Sequence, residues 1–409
     1  MPGQCREVAV TGLGVISPAG IGAQATWDGL LTGRSTAARD PELAGLPVDI
    51  SCQVPDFDTA ARVGRKAAWR LDRFVAMALL AARHAVADAA LGPTDWDAAR
   101  VGVVMGTGTA SMERYVGEFA KLAAGRPLDI SPLAITRSVP NMAAAEIALD
   151  LTVTGPNFAV STACASGSTA LGVARDLLRA GTCDIVLAGG AESARHPIPA
   201  ACFHRMGALS QRREDPAGAC RPFDAGRDGF VLSEGAAVLV LEHPDHARAR
   251  GARPRAHLTG YGASCDAYHY AAPEPDGRGA AAALTAALAD AGLRPGDIDH
   301  INAHGTGTRR NDLAEAKALH TVFAEPPAVT SLKGALGHAI GAAGAIEAAV
   351  TVMSLQRDTI PPTANHEDLD LDIDLDIVAK GPRTTAQSAA ASLSIGFGGQ
   401  NAALVFRSA

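Results

Sequence analysis

Aromatic side chains are scarce in this chain. They make up 4 % of it, although 47 % is hydrophobic. Alanine and glycine fill the gap, which predicts small-residue helices packed closely between sheets. Cysteine is thinly scattered, at positions 5, 52, 164, 183, 202, 220 and 265. That number is odd and no CxxC pair occurs, which argues against a disulfide framework and against a zinc site. Positive charge is not in excess: the formal net charge is −7, which suggests neither a nucleic-acid partner nor a membrane surface. Met-Pro-Gly-Gln-Cys-Arg at the start has no signal-peptide pattern. The most apolar run, Gly334 to Met353, is interrupted by His338 and Glu347, so it reads as a buried helix and not a membrane span. A soluble, cytoplasmic protein is the expectation. At 409 residues the chain suits two halves better than one simple core.

Read in order, Glu7-Val-Ala-Val-Thr-Gly-Leu-Gly14 predicts a buried strand with a glycine exit. Gly12-x-Gly14 opens like a dinucleotide fingerprint, but Ser17-Pro18 breaks the pattern and the third glycine is missing. A helical spacing runs from about 67 to 90, with Arg65, Lys66, Arg70 and Arg73 at its start. Such a cluster is a solvated basic face or a docking patch for an acidic partner. Strands are predicted near 100–105, 183–191 and 234–241, and residues 210–228 read as an irregular surface loop.

The pattern then restarts. Leu258-Thr-Gly-Tyr-Gly262 echoes Val10 to Gly14, and Asn302-Ala-His-Gly-Thr-Gly-Thr308 echoes the stretch from Val104 to Thr109. Ala328 to Ser331 and the helix after it echo the strand and helix around Cys164. Asn401 to Phe406 echoes Gly235 to Val240. Four echoes in the same order predict a duplication. The two α/β halves are placed at 1–250 and 251–409.

Three polar residues stand out against this framework. Cys164, in Val160-Ser-Thr-Ala-Cys-Ala-Ser-Gly-Ser168, sits where a predicted strand turns into a helix. A helix N-terminus favours thiolate over thiol, and small neighbours admit a ligand. A buried structural cysteine is the competing reading. His304 lies at a predicted strand end, and His338 opens the central helix of the second half, where Cys164 opens that of the first. Thiolate and imidazoles together suit acyl transfer from a thioester and stabilisation of an oxyanion. Metal binding is the rival for such a set, but no HxxxH or CxxC spacing supports it.

These motifs resemble the β-ketoacyl-acyl-carrier-protein synthases, ketosynthases of thiolase fold, over nearly the whole chain. The resemblance rests on Thr162-Ala-Cys-Ala-Ser-Gly167, His304-Gly-Thr-Gly-Thr308, Lys333-Gly-Ala-Leu-Gly-His338 with the glycines that follow, and Gly396-Phe-Gly-Gly399. It implies two duplicated α/β halves in a five-layered αβαβα arrangement. It also implies decarboxylative condensation of a Cys164-bound acyl chain with malonyl-acyl carrier protein, His304 and His338 stabilising the enolate. Lys333 would orient the second histidine and pair with Glu315. The N–H groups of Cys164 and Phe397 would form an oxyanion hole, with Phe397 also a gate. Thr306 and Thr308 would bind the phosphopantetheine arm of the carrier, and Thr109 would line the acyl pocket at a dimer interface. Arg65, Lys66, Arg70 and Arg205 would dock the carrier protein. No bound cofactor or metal is implied. The partners implied are acyl carrier protein and a second subunit, identical or of chain-length-factor type.

Asp266-Ala-Tyr-His269 and Pro273-Glu-Pro-Asp-Gly277 resemble the gating loop of type II fatty-acid elongation enzymes, whereas Pro199-Ala-Ala-Cys-Phe203 is closer to type II polyketide ketosynthases. Ser233, Ala237, Ile395 and Gln400 depart from the fatty-acid pattern and tilt the reading towards a polyketide or polyene pathway. Two other readings stay open: a structural partner of a catalytic subunit, and a degradative thiolase, which His338 disfavours.

Overall fold

Runs of Val, Ile, Leu and Ala form strands here because both faces of each sheet are covered by helices. The computed structural model describes residues 7–92 and 94–409. Cys5 and the rest of the N-terminal hexapeptide lie outside them, and the six described cysteines are free thiols. The first half contributes β1 (Val8–Ser17), α1 (Arg73–Asp88), β2 (Val101–Gly106), α2 (Met142–Leu151), β3 (Asn157–Val160), α3 (Ser166–Arg179), β4 (Ile185–Ser193) and β5 (Leu232–Glu242). The second contributes β6 (Ala256–Cys265), α4 (Arg278–Ala291), β7 (His300–Asn302), α5 (Arg309–Val322), β8 (Ala328–Thr330), α6 (Lys333–Leu336), α7 (Ala343–Arg357), β9 (Ala389–Gly396) and β10 (Gln400–Ser408).

The strand order is β3-β2-β4-β5-β1 in one half and β8-β7-β9-β10-β6 in the other. In each half the first three strands of that order run parallel and the last two pairings are antiparallel. The sequence echoes thus fall on topologically matching strands. β1 and β6 join the two sheets through antiparallel pairs from Val8↔Leu258 to Val10↔Ala256. Helices α1 and α2 cover the outer face of the first sheet, and α4 and α5 that of the second. Between the sheets lie α3 and α7, making the five layers of the thiolase-like α/β fold.

Helix α7 is buried along its length from Ala343 to Leu355, as a helix packed on all sides must be. Small residues allow this packing. A Cβ on Gly167 of α3 would lie 2.6 Å from the Ala345 nitrogen of α7, so the nucleophile's helix and the central helix approach more closely than a larger residue permits. No described helix is long and apolar enough to cross a membrane.

Three expectations are corrected. The helix expected over 67–90 divides at Leu71 and Asp72, both extended, into Arg65–Arg70 and α1. Leu71 turns into the core and Asp72 pairs with Arg114. The run from 334 to 353 is likewise not one helix. It breaks after α6, where Gly337 takes φ 67°, a conformation costly for other residues, and the break carries His338. Finally, the irregular stretch at 210–228 is more than a surface loop: Phe223 and Arg227 are buried, and Phe223 joins the core of the second half.

One buried group should make the fold acid-sensitive. His300 on β7 is fully enclosed, neither ring nitrogen has a hydrogen-bond partner, and burial pulls its pKa down to about 3. A histidine whose folded pKa lies below its unfolded value stabilises the fold above 6.5 and loses that contribution as pH falls. The loss reaches roughly 5 kcal/mol by about pH 3, at about 1.4 kcal/mol per pH unit. Replacing His300 with leucine should flatten the decline in urea-unfolding stability over that window. An unchanged slope would assign the acid sensitivity to other groups.

Candidate active site

Cys164 sits in the turn between β3 and α3. Ser166 shapes this turn: its Oγ accepts from the Thr162 N–H at 2.9 Å and donates to the Ala163 carbonyl at 2.6 Å. Ala163 takes φ 49° immediately before the nucleophile, a strained conformation for a residue with a Cβ. The thiol is 6 % exposed. Burial pushes it up to about 12, while Lys333 and a hydrogen bond from the Phe397 N–H act in the opposite direction. The expectation of a thiolate favoured by the helix terminus is therefore corrected: desolvation dominates and the sulfur keeps its proton. His338 Nε2 lies 3.1 Å from Sγ, placed to take that proton.

His338 is fixed by its main chain. Its N–H donates to the Val231 carbonyl at 2.8 Å and its own carbonyl accepts from Ser233 at 3.2 Å. Its ring meets Phe230 and His304 edge to face, at centroid distances of 5.1 and 5.3 Å. Burial holds both imidazoles well below the usual histidine range, and the Lys333 charge adds to this. Both are therefore neutral near neutral pH. One ligating atom from each of Cys164, His304 and His338 lies within 4.8 Å of the others.

Lys333 and Glu315 are also present, but not paired as expected. The Glu315 carboxylate accepts the N–H groups of His304 at 2.6 Å and Gly305 at 2.7 Å, pinning the loop after β7. Burial raises its pKa to about 7. Lys333 Nζ instead pairs with Glu347 of α7, and it also contacts His304 Nδ1 at 3.2 Å and donates to the His304 carbonyl at 2.5 Å. It therefore addresses His304, not His338. Three donors meet three acceptors, so the ammonium is fully used and His304 Nδ1 is an acceptor. The ring proton of His304 must then sit on Nε2. Helix packing decides this partner: both carboxylates are buried, but Glu347 is carried on the central helix, directly against Lys333.

A cavity of about 700 Å³ opens onto Cys164, His304, His338, Phe397, Thr306 and Thr308. Thr306 Oγ1 and Thr308 Oγ1 are 2.9 Å apart. Gly396 is pressed against the main chain of Cys164, since a Cβ there would lie 3.2 Å from its nitrogen. Residues 269–273 form part of the wall, and the Tyr270 carbonyl accepts the Gly398 N–H at 2.8 Å.

Thr109 does not reach this wall. Its hydroxyl donates to Glu192 at 2.8 Å, and Glu192 also accepts from Gly108 N–H at 2.7 Å. Arg205 is exposed on the helix Pro197–Arg205, next to the cavity residues Phe203 and Met206. Arg65 and Lys66 are exposed on a separate helix, and Arg70 is engaged by Glu146 at 2.7 Å. Arg73, grouped with them in sequence, is instead paired with buried Glu234 at 2.6 Å. Sequence reasoning missed Glu347 as the lysine's partner, as well as the cavity residues Arg309, Arg310, Phe230 and Ile340. Arg309 and Arg310 directly follow Thr308 and Ile340 lies two residues after His338, signals that were legible; Phe230 and Glu347 come from other segments.

Comparisons with known proteins agree with this geometry. The family description "Beta-ketoacyl synthase, N-terminal domain" matches residues 5–247, and "Beta-ketoacyl synthase, C-terminal domain" matches 255–367. The chain is 41 % identical to a 3-oxoacyl-[acyl-carrier-protein] synthase 2 of Synechocystis sp., over 98 % of each chain. It is 38 % identical to the Vibrio harveyi protein of the same name, again over 98 % of each. Among solved structures, the ishigamide ketosynthase/chain length factor superposes with a TM-score of 0.92 at 36 % identity, covering 99 % of both chains. AntDE:AntF, described as a type II PKS acyl-carrier protein in complex with its ketosynthase, gives 0.92 at 32 %, covering 99 % of this chain and 100 % of that one. With its cysteine and two histidines gathered at one cavity of a duplicated α/β fold, the chain belongs to the β-ketoacyl synthase family, carbon–carbon bond-forming acyltransferases of thiolase fold.

Proposed function

We propose that this chain is an elongating ketosynthase of a type II polyketide or polyene pathway, condensing a Cys164-bound acyl chain with malonyl-acyl carrier protein. The observation that carries the reading is the nucleophile beside two neutral imidazoles, one of them held by Lys333 with its N–H free on Nε2. In the first step the Cys164 sulfur attacks the acyl thioester, its proton passing through His338 to the departing carrier thiol. The N–H groups of Cys164 and Phe397 receive the developing oxyanion. In the second step the malonyl carboxylate leaves as carbon dioxide, and the enolate oxygen is held by the Nε2 proton of His304 and by His338 as the tautomer that carries its proton on Nε2. The enolate carbon then bonds to the acyl carbon, and the cysteine sulfur leaves as a thiolate and takes up a proton from water. A Cys-His-His set suits this decarboxylative route.

Thr306 and Thr308 are assigned to the phosphopantetheine arm, which arrives with its carrier, so no cofactor of the enzyme's own is required. Phe397 is assigned as the gate. Arg205, adjacent to the cavity residue Met206, fits carrier docking better than Arg65, Lys66 and Arg70, which line a separate site. The halves are taken as 1–250 and 251–409, with a second subunit, a copy of this chain or a chain-length factor, and a cytoplasmic location. The polyketide assignment is supported by the likeness to the ishigamide and AntDE:AntF ketosynthases and by Ser233, Ala237, Ile395 and Gln400. Fatty-acid elongation is the second reading, favoured by the 3-oxoacyl synthase relatives.

Intact mass after exposure to acyl carrier proteins of several chain lengths tests the function. One acyl group on Cys164 is expected, and the lengths accepted separate the two pathways. No acylation by any donor, with or without a second subunit, would overturn the reading. The pH profile offers an independent check. Because both imidazoles lie well below 6.5, neither should give the condensation rate an acid limb centred at 6.5. An acid limb centred there that disappears in a His304 variant would contradict the neutral-imidazole assignment.

A further inference from the structure

A cysteine and two histidines converging within 4.8 Å at an open cavity make a donor set that suits zinc: one thiolate, two imidazole nitrogens and room for a fourth ligand. Sequence spacing hides this, because the three come from separate segments. Yet a zinc ion here would block the nucleophile that acyl transfer needs. We propose that Lys333 keeps the Cys164/His304/His338 set free of metal.

The argument is one of donors and acceptors. Lys333 Nζ is 3.2 Å from His304 Nδ1, with its other two donors used by the His304 carbonyl and Glu347. For His304 to bind metal through Nδ1, it must displace that N–H. To bind through Nε2, it must move its proton to Nδ1, where two N–H groups would then face each other. A metal-bound histidine ordinarily donates its second nitrogen's proton to a carboxylate or carbonyl. Here that place is taken by an ammonium, which cannot accept. Its positive charge also opposes a cation in the same low-dielectric pocket. Glu347, the buried carboxylate that would otherwise attract a metal, is spent on Lys333.

Cobalt(II) reports the outcome, since a cobalt–thiolate bond gives a charge-transfer band. Wild type, Lys333→Met and Lys333→Met/Glu347→Gln are titrated with Co²⁺, and then with Zn²⁺ against a chromophoric chelator. The double variant removes amine and carboxylate together, so no buried charge is left unpaired. The expected result is a thiolate band in the variants, absent when Cys164→Ala is added. Zinc affinity should rise about 10–100-fold over wild type, the usual effect of groups behind a metal ligand. A thiolate band of equal strength in wild type, or none in a folded variant, overturns the proposal. Zinc should not protect Cys164 from iodoacetamide, mapped by peptide mass, and protection would refute the idea. Every readout is metal binding or alkylation, so the outcome does not depend on the condensation reading.

Discussion

Replacing Cys164 with alanine should abolish acylation and lower condensation by about 10⁴- to 10⁶-fold, the range seen when a nucleophile is removed from a catalytic unit. The fold should survive. The turn that holds residue 164 is fixed by Ser166, through its bonds to the Thr162 N–H and the Ala163 carbonyl, and neither involves the sulfur. Burial already keeps the thiol neutral, so its loss removes no buried charge. His304, His338 and Lys333 stay in place, and carbon dioxide release from malonyl carrier protein should persist without condensation. Mass spectrometry reads the acylation, labelled carbon dioxide reads the decarboxylation, and thermal unfolding reads the fold. If acyl groups still accumulate at residue 164's site, another nucleophile is at work and the assignment of Cys164 is wrong.

The second large effect concerns Lys333. Its side chain is 1 % exposed and pairs with Glu347, which is 3 % exposed. Removing one partner of such a pair leaves an uncompensated buried charge, which costs about 3–5 kcal/mol. Lys333→Ala should lose that much in urea unfolding. Lys333→Met/Glu347→Gln should recover most of it, since replacing both partners leaves no lone charge. Activity should not recover with stability. His304 Nδ1 would lack its donor, and the ring would no longer be held with its proton on Nε2, so decarboxylation should stay depressed. Recovery of both stability and rate in the double variant would show that Lys333 serves only the fold.

The two experiments separate chemical from structural roles in one pocket. Cys164 contributes reactivity and little to stability. Lys333 contributes to both, because one ammonium is shared between a helix carboxylate and a catalytic ring. The buried carboxylates differ as well. Glu315 holds two main-chain N–H groups of the histidine loop, whereas Glu347 neutralises the lysine.

Much of this was legible in the sequence. The glycine-rich turns, the repeated strand motifs and the placement of Cys164 ahead of a central helix follow from local chemistry, whereas His338 stands in the break before α7. Glycine marks positions where the backbone must bend or approach closely, and strand and helix periodicities differ. The duplication was readable because each half repeats the same strand–helix unit, with motifs at matching strands such as Val10–Gly14 and Leu258–Gly262. What the sequence determined by itself was therefore which residues carry the chemistry and the order of the elements that present them. Only the tertiary structure decided how those residues are wired. Lys333 has acidic residues on both α5 and α7 within reach in sequence, and it meets Glu347 because α7 runs through the middle layer against it. Thr109 likewise meets Glu192, a partner brought to it by the pairing of β2 with β4. The thiol's protonation was likewise undecidable locally: a helix terminus lowers it, but packing in one cluster with Ala194, Phe230, Val231 and Ile340 desolvates the sulfur, and burial is the larger effect.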